Sequence, residues 1–200
     1  MKKRGTTESP AEDRDGFRFR GGSVALDLAA TLQARLRPSP RELLATPQDL
    51  DRWLVSAGLA TSSPGATEGD LTMAYALREA IFTLAGGLGE RPFDPGARDM
   101  LNRIAASPAA AAVLRADGQA QWQGSAAGLL ASLAREAVHL FGGEDAAQVR
   151  QCQSSTCTLF FVDTSRSGDR RWCSMSACGN KAKVAEFRRR KQELASEPGP

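Results

Sequence analysis

All four cysteines of this 200-residue chain lie in its last quarter, at positions 152, 157, 173 and 178. They form two C-x4-C pairs, and a short loop with several basic residues separates the pairs. In structural sites Zn²⁺ takes four such thiolates at about 2.3 Å and leaves no position open for a substrate. The spacing therefore predicts a structural zinc site with Cys152, Cys157, Cys173 and Cys178 as its ligands. About 40 residues bury too little apolar surface to fold alone, so we expect the metal to stabilise this module.

The residues alone leave other uses of the four cysteines open. Two disulfides fit the count but require an oxidising compartment. We expect no export, because the basic start of the chain runs into Glu12, Asp13 and Asp15 where a secretory signal needs an apolar segment. The sequence has no C-x-x-C redox pair, and a catalytic zinc site usually keeps an open position. Iron binds the same ligands in rubredoxin-like sites, so four thiolates do not separate zinc from iron.

The composition is that of a folded protein. Hydrophobic residues make up 42% and charged residues 24% of the chain, which excludes a largely disordered protein. The length suits one medium domain with a small appended module. The longest uncharged run, residues 118–134, contains three Gln and two Ser, so we expect no bilayer span. We therefore expect a cytoplasmic protein with reduced thiols and no membrane partner.

Helical patterns dominate the part of the chain before the cysteines. Thr46-Pro47-Gln48-Asp49 is typical of a helix start, and Ser125 precedes a broad apolar stripe with helical spacing. Asp117-Gly118 suits a tight hairpin turn, because glycine accepts a positive φ. The patterns predict helices over residues 24–36, 46–58, 70–87, 94–108 and 125–143, a strand over 17–22 and a hairpin over 112–122.

The expected fold class is mainly α within α+β: a multi-helical N-terminal domain with a short hairpin, followed by a small C-terminal ββα four-cysteine zinc module. In the module, the sequence predicts strands over residues 158–162 and 170–172 and a helix from about Asn180. We expect the metal to be covered by Phe160, Phe161, Trp172, Val184 and Phe187. The predicted boundaries are a disordered tail over residues 1–16, a helical regulatory domain over 17–145, the zinc module over 150–192 and a tail over 193–200.

Positive charge is concentrated beside the cysteines. Residues 150–200 contain 10 Lys and Arg against 5 Asp and Glu, whereas residues 1–149 contain 16 against 18. A localised basic patch is the electrostatic footprint of a nucleic-acid-binding surface. The candidate nucleic-acid-binding residues are Arg166, Arg170, Arg171, Lys181, Lys183, Arg188, Arg189 and Arg190. The simpler alternative is a solvated helix face, with Arg170, Arg171 and Lys181 offsetting the charge of the metal site.

Two motifs in this region resemble the CGNR zinc finger family of bacterial proteins, which are described as stress-induced transcription regulators. They are Cys152-x4-Cys157-x2-Phe160-x2-Asp163-x-Ser165-Arg166 and Arg170-Arg-Trp-Cys-Ser-Met-x-x-Cys178-Gly-Asn. Segments 25–32, 50–59 and 77–81 are similar to that family's N-terminal domain, so the resemblance runs from about Phe19 to Arg190. It implies a DNA-binding zinc module joined to a helical domain that binds a small-molecule effector or forms a homodimer. It implies no catalytic activity.

The chain departs from the family pattern at two positions. Lys181 stands where the family has the arginine of its Cys-Gly-Asn-Arg motif. The charge is kept, but the planar guanidinium that binds phosphate or guanine with two hydrogen bonds is lost. Ala30 stands where the family has an asparagine, so a contact of that amide is missing. We therefore do not expect base-specific recognition through position 181.

Three functional hypotheses follow. The first is a DNA-binding transcription regulator, and the alternative is a zinc-stabilised protein-interaction module without DNA contact. Burial of Arg188 to Arg190 against the first domain would favour the alternative. The third is an enzyme with a pocket near Asp27 and Arg78, but these charges in apolar segments are more typical of a buried pair. We expect no enzyme, since His139 has no accompanying nucleophile signature and suits a helix surface.

Overall fold

This computed structural model describes residues 12–89 and 92–196, with side chains up to Gln192. The α-helices of the described residues are α1 Val24–Ala29, α2 Pro47–Ser56, α3 Glu68–Gly86, α4 Pro95–Ala105, α5 Ala126–Gly142 and α6 Asn180–Ser196. The strands form antiparallel pairs: β1 Asp13–Arg14 with β2 Phe17–Arg18, β3 Leu32–Gln33 with β4 Arg41–Glu42, β5 Ala111–Leu114 with β6 Ala120–Gln123, and β7 Val149–Gln151 with β8 Phe160–Val162. The fold is α-dominated α+β, which confirms the predicted class. Across the described ranges, every helix is too short or too polar to span a bilayer.

The helices begin at the capping residues of the sequence. Thr46 Oγ1 accepts a hydrogen bond from the Asp49 amide at 3.2 Å, and the Asp49 carboxylate accepts the Thr46 amide at 2.9 Å. This capping box satisfies two backbone donors at the start of α2. Thr67 and Asp70 form the same box, so α3 begins slightly before the predicted start at Asp70. Ser125 caps α5 as predicted.

The predicted helix over residues 24–36 is wrong beyond Ala29. The hydroxyl of Thr31 donates to the Leu28 carbonyl at 2.7 Å, and the chain then enters β3, which pairs with β4. A threonine that bonds nearby backbone offers the chain an alternative to helix. The partner strand takes the hydrogen bonds that a longer helix would have made, so α1 is short.

Part of the predicted N-terminal tail is an ordered hairpin. Asp15 and Gly16 adopt φ angles of 50° and 81°, as a two-residue turn between antiparallel strands requires. Phe17 follows the turn and is only 2% exposed, so its burial anchors the hairpin to the core. Residues 1–11 of that predicted tail lie outside the described residues, and residues 193–196 of the second tail continue α6.

The core of the helical domain is built around α3 and α5. Both helices contact each other and also α1, α2 and α4. Fully buried side chains of this core include Leu26, Trp53, Leu77, Ile81, Leu129 and Leu130. The predicted hairpin over residues 112–122 is confirmed as β5 and β6, with Gly118 at a φ of 79° in the turn. It packs against α5 at its base, where the Ala110 amide donates to the Gly128 carbonyl at 2.9 Å.

Strand β8 joins the helical domain to the cysteine module, because its side chains alternate in direction. Phe160 and Val162 belong to the helical core, whereas Phe161 packs with the cysteines. The Phe160 ring meets that of Phe82 edge to face at 5.3 Å. The Val162 amide donates to the Gly21 carbonyl at 2.8 Å. The two predicted domains are therefore linked through a shared core.

The module has ββα order, but its strands differ from the prediction. β8 pairs with β7, with Gln151 opposite Phe160. Residues 170–172, predicted as the returning strand, are irregular. The Gln153 amide donates to the Arg171 carbonyl at 3.0 Å, which brings the two cysteine loops side by side without a ladder.

Candidate metal centre

The four cysteine sulfurs converge on one point of the module. All four Sγ atoms lie within 4.8 Å of one another, with Cys157 and Cys173 separated by 3.9 Å and Cys173 and Cys178 by 3.6 Å. A tetrahedral zinc ion with sulfurs at about 2.3 Å places those sulfurs about 3.8 Å apart. The cysteines are free thiols, so the disulfide alternative is wrong. The donor set and its spacing fit a closed four-thiolate zinc site.

Local hydrogen bonds curl the first C-x4-C segment. The Cys157 amide donates to the Ser154 carbonyl at 2.9 Å, which tightens the turn between the two cysteines. The Cys152 amide donates to the Leu159 carbonyl at 2.9 Å and closes the loop at its base, next to the β7–β8 pair. Both sulfurs of this segment are thereby held on the same side of the loop.

The second C-x4-C segment is shaped by a π-turn over Met175–Gly179. The Gly179 amide donates to the Ser174 carbonyl at 3.0 Å, five residues earlier, so the turn is wider than an α-helical one. Cys173 precedes this turn and Cys178 lies inside it, and α6 follows directly. The Cys173 amide also donates to the Cys152 sulfur at 3.5 Å. Amide donors of this kind favour the thiolate form that a metal requires.

A small apolar shell surrounds the sulfurs. Cys152, Cys173 and Cys178 are buried, and they pack with Leu159, Phe161, Trp172 and Ala30. Two predicted covering residues are confirmed, Phe161 and Trp172. The other three are wrong: Phe160 lies in the helical core, while Val184 and Phe187 are 49% and 68% exposed.

Helical spacing explains that error. Val184 and Phe187 share one face of α6, but the face turned toward the body of the protein contains Ala182 and Glu186, which are partly buried. The apolar side chains therefore point outward. Periodicity identified a face of the helix but not the surface against which that helix packs.

The crowded sulfurs oppose one another's ionisation. Hydrogen bonds with Cys152 and Cys157 raise the pKa of the Cys173 thiol above its ordinary value. The hydrogen bond with Cys152 raises the pKa of Cys157 as well, while Cys152, which accepts these bonds, has a lowered pKa. A divalent cation bound by all four groups as thiolates offsets this repulsion. Zinc binding by this chain therefore displaces protons and weakens as pH falls.

Arg170 is a structural residue of the centre. Its Nε donates to the Trp172 carbonyl at 2.8 Å, and its Nη2 donates to the Cys173 carbonyl. The guanidinium lies over the Phe161 ring, 4.5 Å from the centroid. The N–H groups at the edge of the guanidinium bind the two carbonyls while its face lies over the ring, and these contacts hold the backbone beside a metal ligand.

Asp163 is a site residue to which the sequence reasoning assigned no role. It is buried at 4% exposure, and its carboxylate accepts the amides of Ser165 at 2.9 Å and Arg170 at 2.8 Å. Hydrogen bonds from Ser165 and Arg170 hold the pKa of Asp163 below its ordinary value. The sequence feature that indicates this role is an aspartate directly after a buried strand and before a turn, where its carboxylate commonly accepts hydrogen bonds from nearby backbone amides. It fixes the basic loop that leads to Cys173.

The predicted nucleic-acid-binding residues fall into two groups. The first makes internal contacts. It comprises Arg170, described above, Arg171, whose Nε donates to Gln153 at 2.7 Å, and Arg189 and Arg190, each paired with Glu186 at 2.9 Å. The second group is exposed and has no ion pair within the described residues. It comprises Arg166, Lys181, Lys183 and Arg188.

The predicted buried pair of Asp27 and Arg78 is wrong. Arg78 donates to Glu42 at 2.7 Å and to Glu79 at 3.0 Å. Asp27 accepts the Gly21 amide at 2.7 Å, and its burial raises its pKa from 3.8 to about 7. His139 is exposed on α5, in agreement with its interpretation as a helix-surface residue.

Two family models match the chain, one over the helical domain and one over the cysteine module. One, described as "putative stress-induced transcription regulator" and named ABATE, matches residues 22–144. The other, the CGNR zinc finger, matches residues 148–191 and so contains all four cysteines. No curated protein matches the chain. The zinc finger match and the clustered sulfurs show a structural zinc site. Since the first model spans more than half of the sequence, the chain belongs to the ABATE family and has a C-terminal CGNR zinc finger.

Proposed function

We propose that this protein is a transcription regulator that binds duplex DNA through its zinc module. The observation that carries the proposal is the exposure of the basic residues beside the metal centre. Arg166 lies in the loop before Cys173, and Lys181, Lys183 and Arg188 lie on α6, all on the surface. Exposed cations clustered on one small module are the expected contacts for phosphates. We also propose that the protein acts in the cytoplasm.

The outer face of α6 has the composition of a groove-binding helix. Val184, Phe187, Arg188 and Lys191 follow one another at helical spacing, with Lys183 beside them, and all five are exposed. The major groove of B-DNA admits an α-helix, and apolar side chains there contact the methyl group of thymine. The proposal therefore places the basic residues of this face on phosphates and Val184 and Phe187 on base edges.

Zinc acts in this proposal by fixing the direction of α6. Cys178 belongs to the π-turn that leads into α6 without a break. A metal bond at that position ties the start of the helix to the β7–β8 pair, which holds Cys152 at its end. The ion itself contacts no DNA, since its four positions are filled by sulfur.

The experiment is a titration of the zinc-loaded chain with a fluorescent random-sequence duplex, from about 50 to 200 mM salt. We expect affinity to fall as salt rises, because phosphate contacts release counterions. Replacing one contacting residue, as in Lys183→Gln or Arg188→Gln, lowers the slope of log affinity against log salt by about one. Arg103→Gln, at an exposed position of α4, is the matched control and leaves the slope unchanged. Undetectable binding, or binding insensitive to salt, refutes the proposal.

A second candidate function is supported by the exposure of Phe187. A helix with apolar and basic residues on one face also fits an acidic, apolar groove of another protein. Arg188, Arg189 and Arg190 are exposed, so the burial against the first domain that would favour this alternative is not found. Phe187→Ala separates the two candidates: it leaves the salt slope for DNA nearly unchanged but removes the anchor on which protein docking depends.

A further inference from the structure

A groove of about 470 Å³ lies in the helical domain, between the end of α2, the β5–β6 hairpin and α5. Trp122 of the hairpin forms one wall and is 39% exposed. Leu59 and Leu133, which are both buried, lie beneath the groove, and α5 contributes the polar side chains of Glu136 and His139. A concave apolar site with a few polar groups is the usual form of a small-molecule site.

The groove is held in shape by contacts on both sides. The side-chain amide of Gln121 donates to the Thr61 hydroxyl at 3.0 Å, and this bond links the hairpin to the segment after α2. At the base of the hairpin, a Cβ on Gly124 would lie only 2.9 Å from the Ala110 Cβ, so the backbones are in close contact. The Trp122 wall therefore has a defined position relative to α5.

The polar side chains of the groove differ in how many of their hydrogen-bonding atoms already have a partner in the protein. Arg135 donates from Nε to the Ala105 carbonyl at 2.8 Å and from Nη2 to the Ser107 carbonyl at 3.0 Å, which holds its guanidinium against the end of α4. Glu136 is only half used. Its Oε1 accepts from the Ser23 hydroxyl at 2.7 Å and from the Val24 amide at 3.1 Å. Its Oε2 has no hydrogen-bond partner among the described residues.

We propose that this groove binds a small organic ammonium ion whose apolar part is an aromatic or aliphatic group. The free Oε2 of Glu136 accepts the ammonium N–H in a charge-assisted hydrogen bond. The apolar part lies on the Trp122 ring, whose face also attracts the cation. At Oε2 itself an anion is repelled by the Glu136 carboxylate, whereas the guanidinium of Arg135 keeps its positive charge but is held against the Ala105 and Ser107 carbonyls at the end of α4.

The same carboxylate connects the groove to the zinc module. Glu136 binds the first residues of α1, and Ala30, directly after α1, packs against the cysteine cluster. A cation bound to Glu136 competes with the Ser23 hydroxyl and the Val24 amide, at the start of α1, for the Glu136 carboxylate. An effect of the ligand on DNA affinity rests on the proposed function, but binding to the groove does not.

Binding is tested on the zinc-loaded full chain by ¹H–¹⁵N NMR titration with two amines, 2-phenylethylamine and tryptamine. Their carboxylate analogues, 3-phenylpropionate and indole-3-propionate, are the matched ligands of opposite charge. We expect both amines to shift the Trp122 indole and α5 amide signals and to bind at least about tenfold more tightly than the carboxylates, a difference of about 1.4 kcal/mol. Equal affinity for the two classes, or no binding of either amine, overturns the proposal.

Variants assign the binding to the groove. Glu136→Gln keeps an acceptor for the start of α1 but removes the charge, and we expect amine affinity to fall about tenfold. Glu68→Gln, at an exposed position of α3, is the charge-matched control and retains the affinity. Trp122→Ala removes the aromatic wall without touching α1, so it tests the site even if Glu136→Gln fails to fold. Amine affinity that is unchanged in Trp122→Ala refutes the site, whatever the outcome of the DNA titration.

Discussion

The guanidinium of Arg170 lies 4.5 Å from the centroid of the Phe161 ring. Phe161 is fully buried against the cysteines, so this contact closes one side of the metal centre with a basic residue. The same side chain donates to two backbone carbonyls next to Cys173. A residue that charge placement alone assigned to DNA contact thus supports the zinc site, and its substitution tests stability.

We predict that Arg170→Lys destabilises the zinc module although it keeps the positive charge. Lysine lacks the planar group that stacks on Phe161 and binds both carbonyls, so the expected loss is about 1 to 3 kcal/mol of unfolding free energy. Urea unfolding of the zinc-loaded protein measures it. Arg166→Lys, at an exposed loop position of the same module, is the matched control and leaves the unfolding free energy unchanged. Equal stability of the two variants would contradict the structural role of Arg170.

Cys173→Ser is expected to abolish stable zinc binding. A serine hydroxyl stays protonated near neutral pH, so the site keeps only three thiolates, and a structural site loses its closed tetrahedral shell. Zinc content measured by elemental analysis then falls well below about one ion per chain. Ser155→Ala, in the exposed turn of the first cysteine loop, is the control and retains zinc.

The same variant is expected to lower the thermal stability of the helical domain. β8 places Phe161 in the metal cluster and Phe160 in the helical core, so unfolding of the module exposes apolar surface of both. Circular dichroism at increasing temperature reports the helical transition. A helical transition that is unchanged in Cys173→Ser would show that the two halves fold independently.

The buried carboxyl of Asp27 predicts a pH dependence of stability. Burial raises its folded-state pKa from 3.8 to about 7, so the folded protein binds this proton more tightly than the unfolded chain. Stability contributed by Asp27 is therefore greatest below about pH 4, falls as pH rises toward 7, and is constant above that. The carboxylate costs up to about 4 kcal/mol at pH 8 relative to a neutral side chain.

Asp27→Asn removes this dependence while its amide oxygen still accepts the Gly21 amide. We expect the variant to unfold at higher urea concentration than the natural protein at pH 8 and at a similar concentration near pH 4. The effect of pH on zinc binding is common to both proteins and cancels in the comparison. Asp99→Asn, on the exposed surface of α4, is the control. Parallel pH profiles for Asp27→Asn and the natural protein would refute the assignment.

Local sequence determined the features that are decided within a few residues. Thr46 and Ser125 begin helices because a side-chain oxygen satisfies a nearby amide. Asp117-Gly118 forms a hairpin turn because glycine adopts the positive φ. The cysteine spacing predicted a single metal site because each C-x4-C segment closes through its own backbone hydrogen bonds.

Features that depend on a distant partner were decided only by the tertiary structure. α1 ends at Ala29 because the following residues form β3, which pairs with β4. Phe187 points outward from α6 because Ala182 and Glu186 face the body of the protein. Arg170 and Arg188 have the same charge and lie in the same basic region, yet one is bonded inside the metal centre and the other is exposed. Residue type and spacing determine which groups a chain offers, but packing across the whole molecule determines which of them are already occupied.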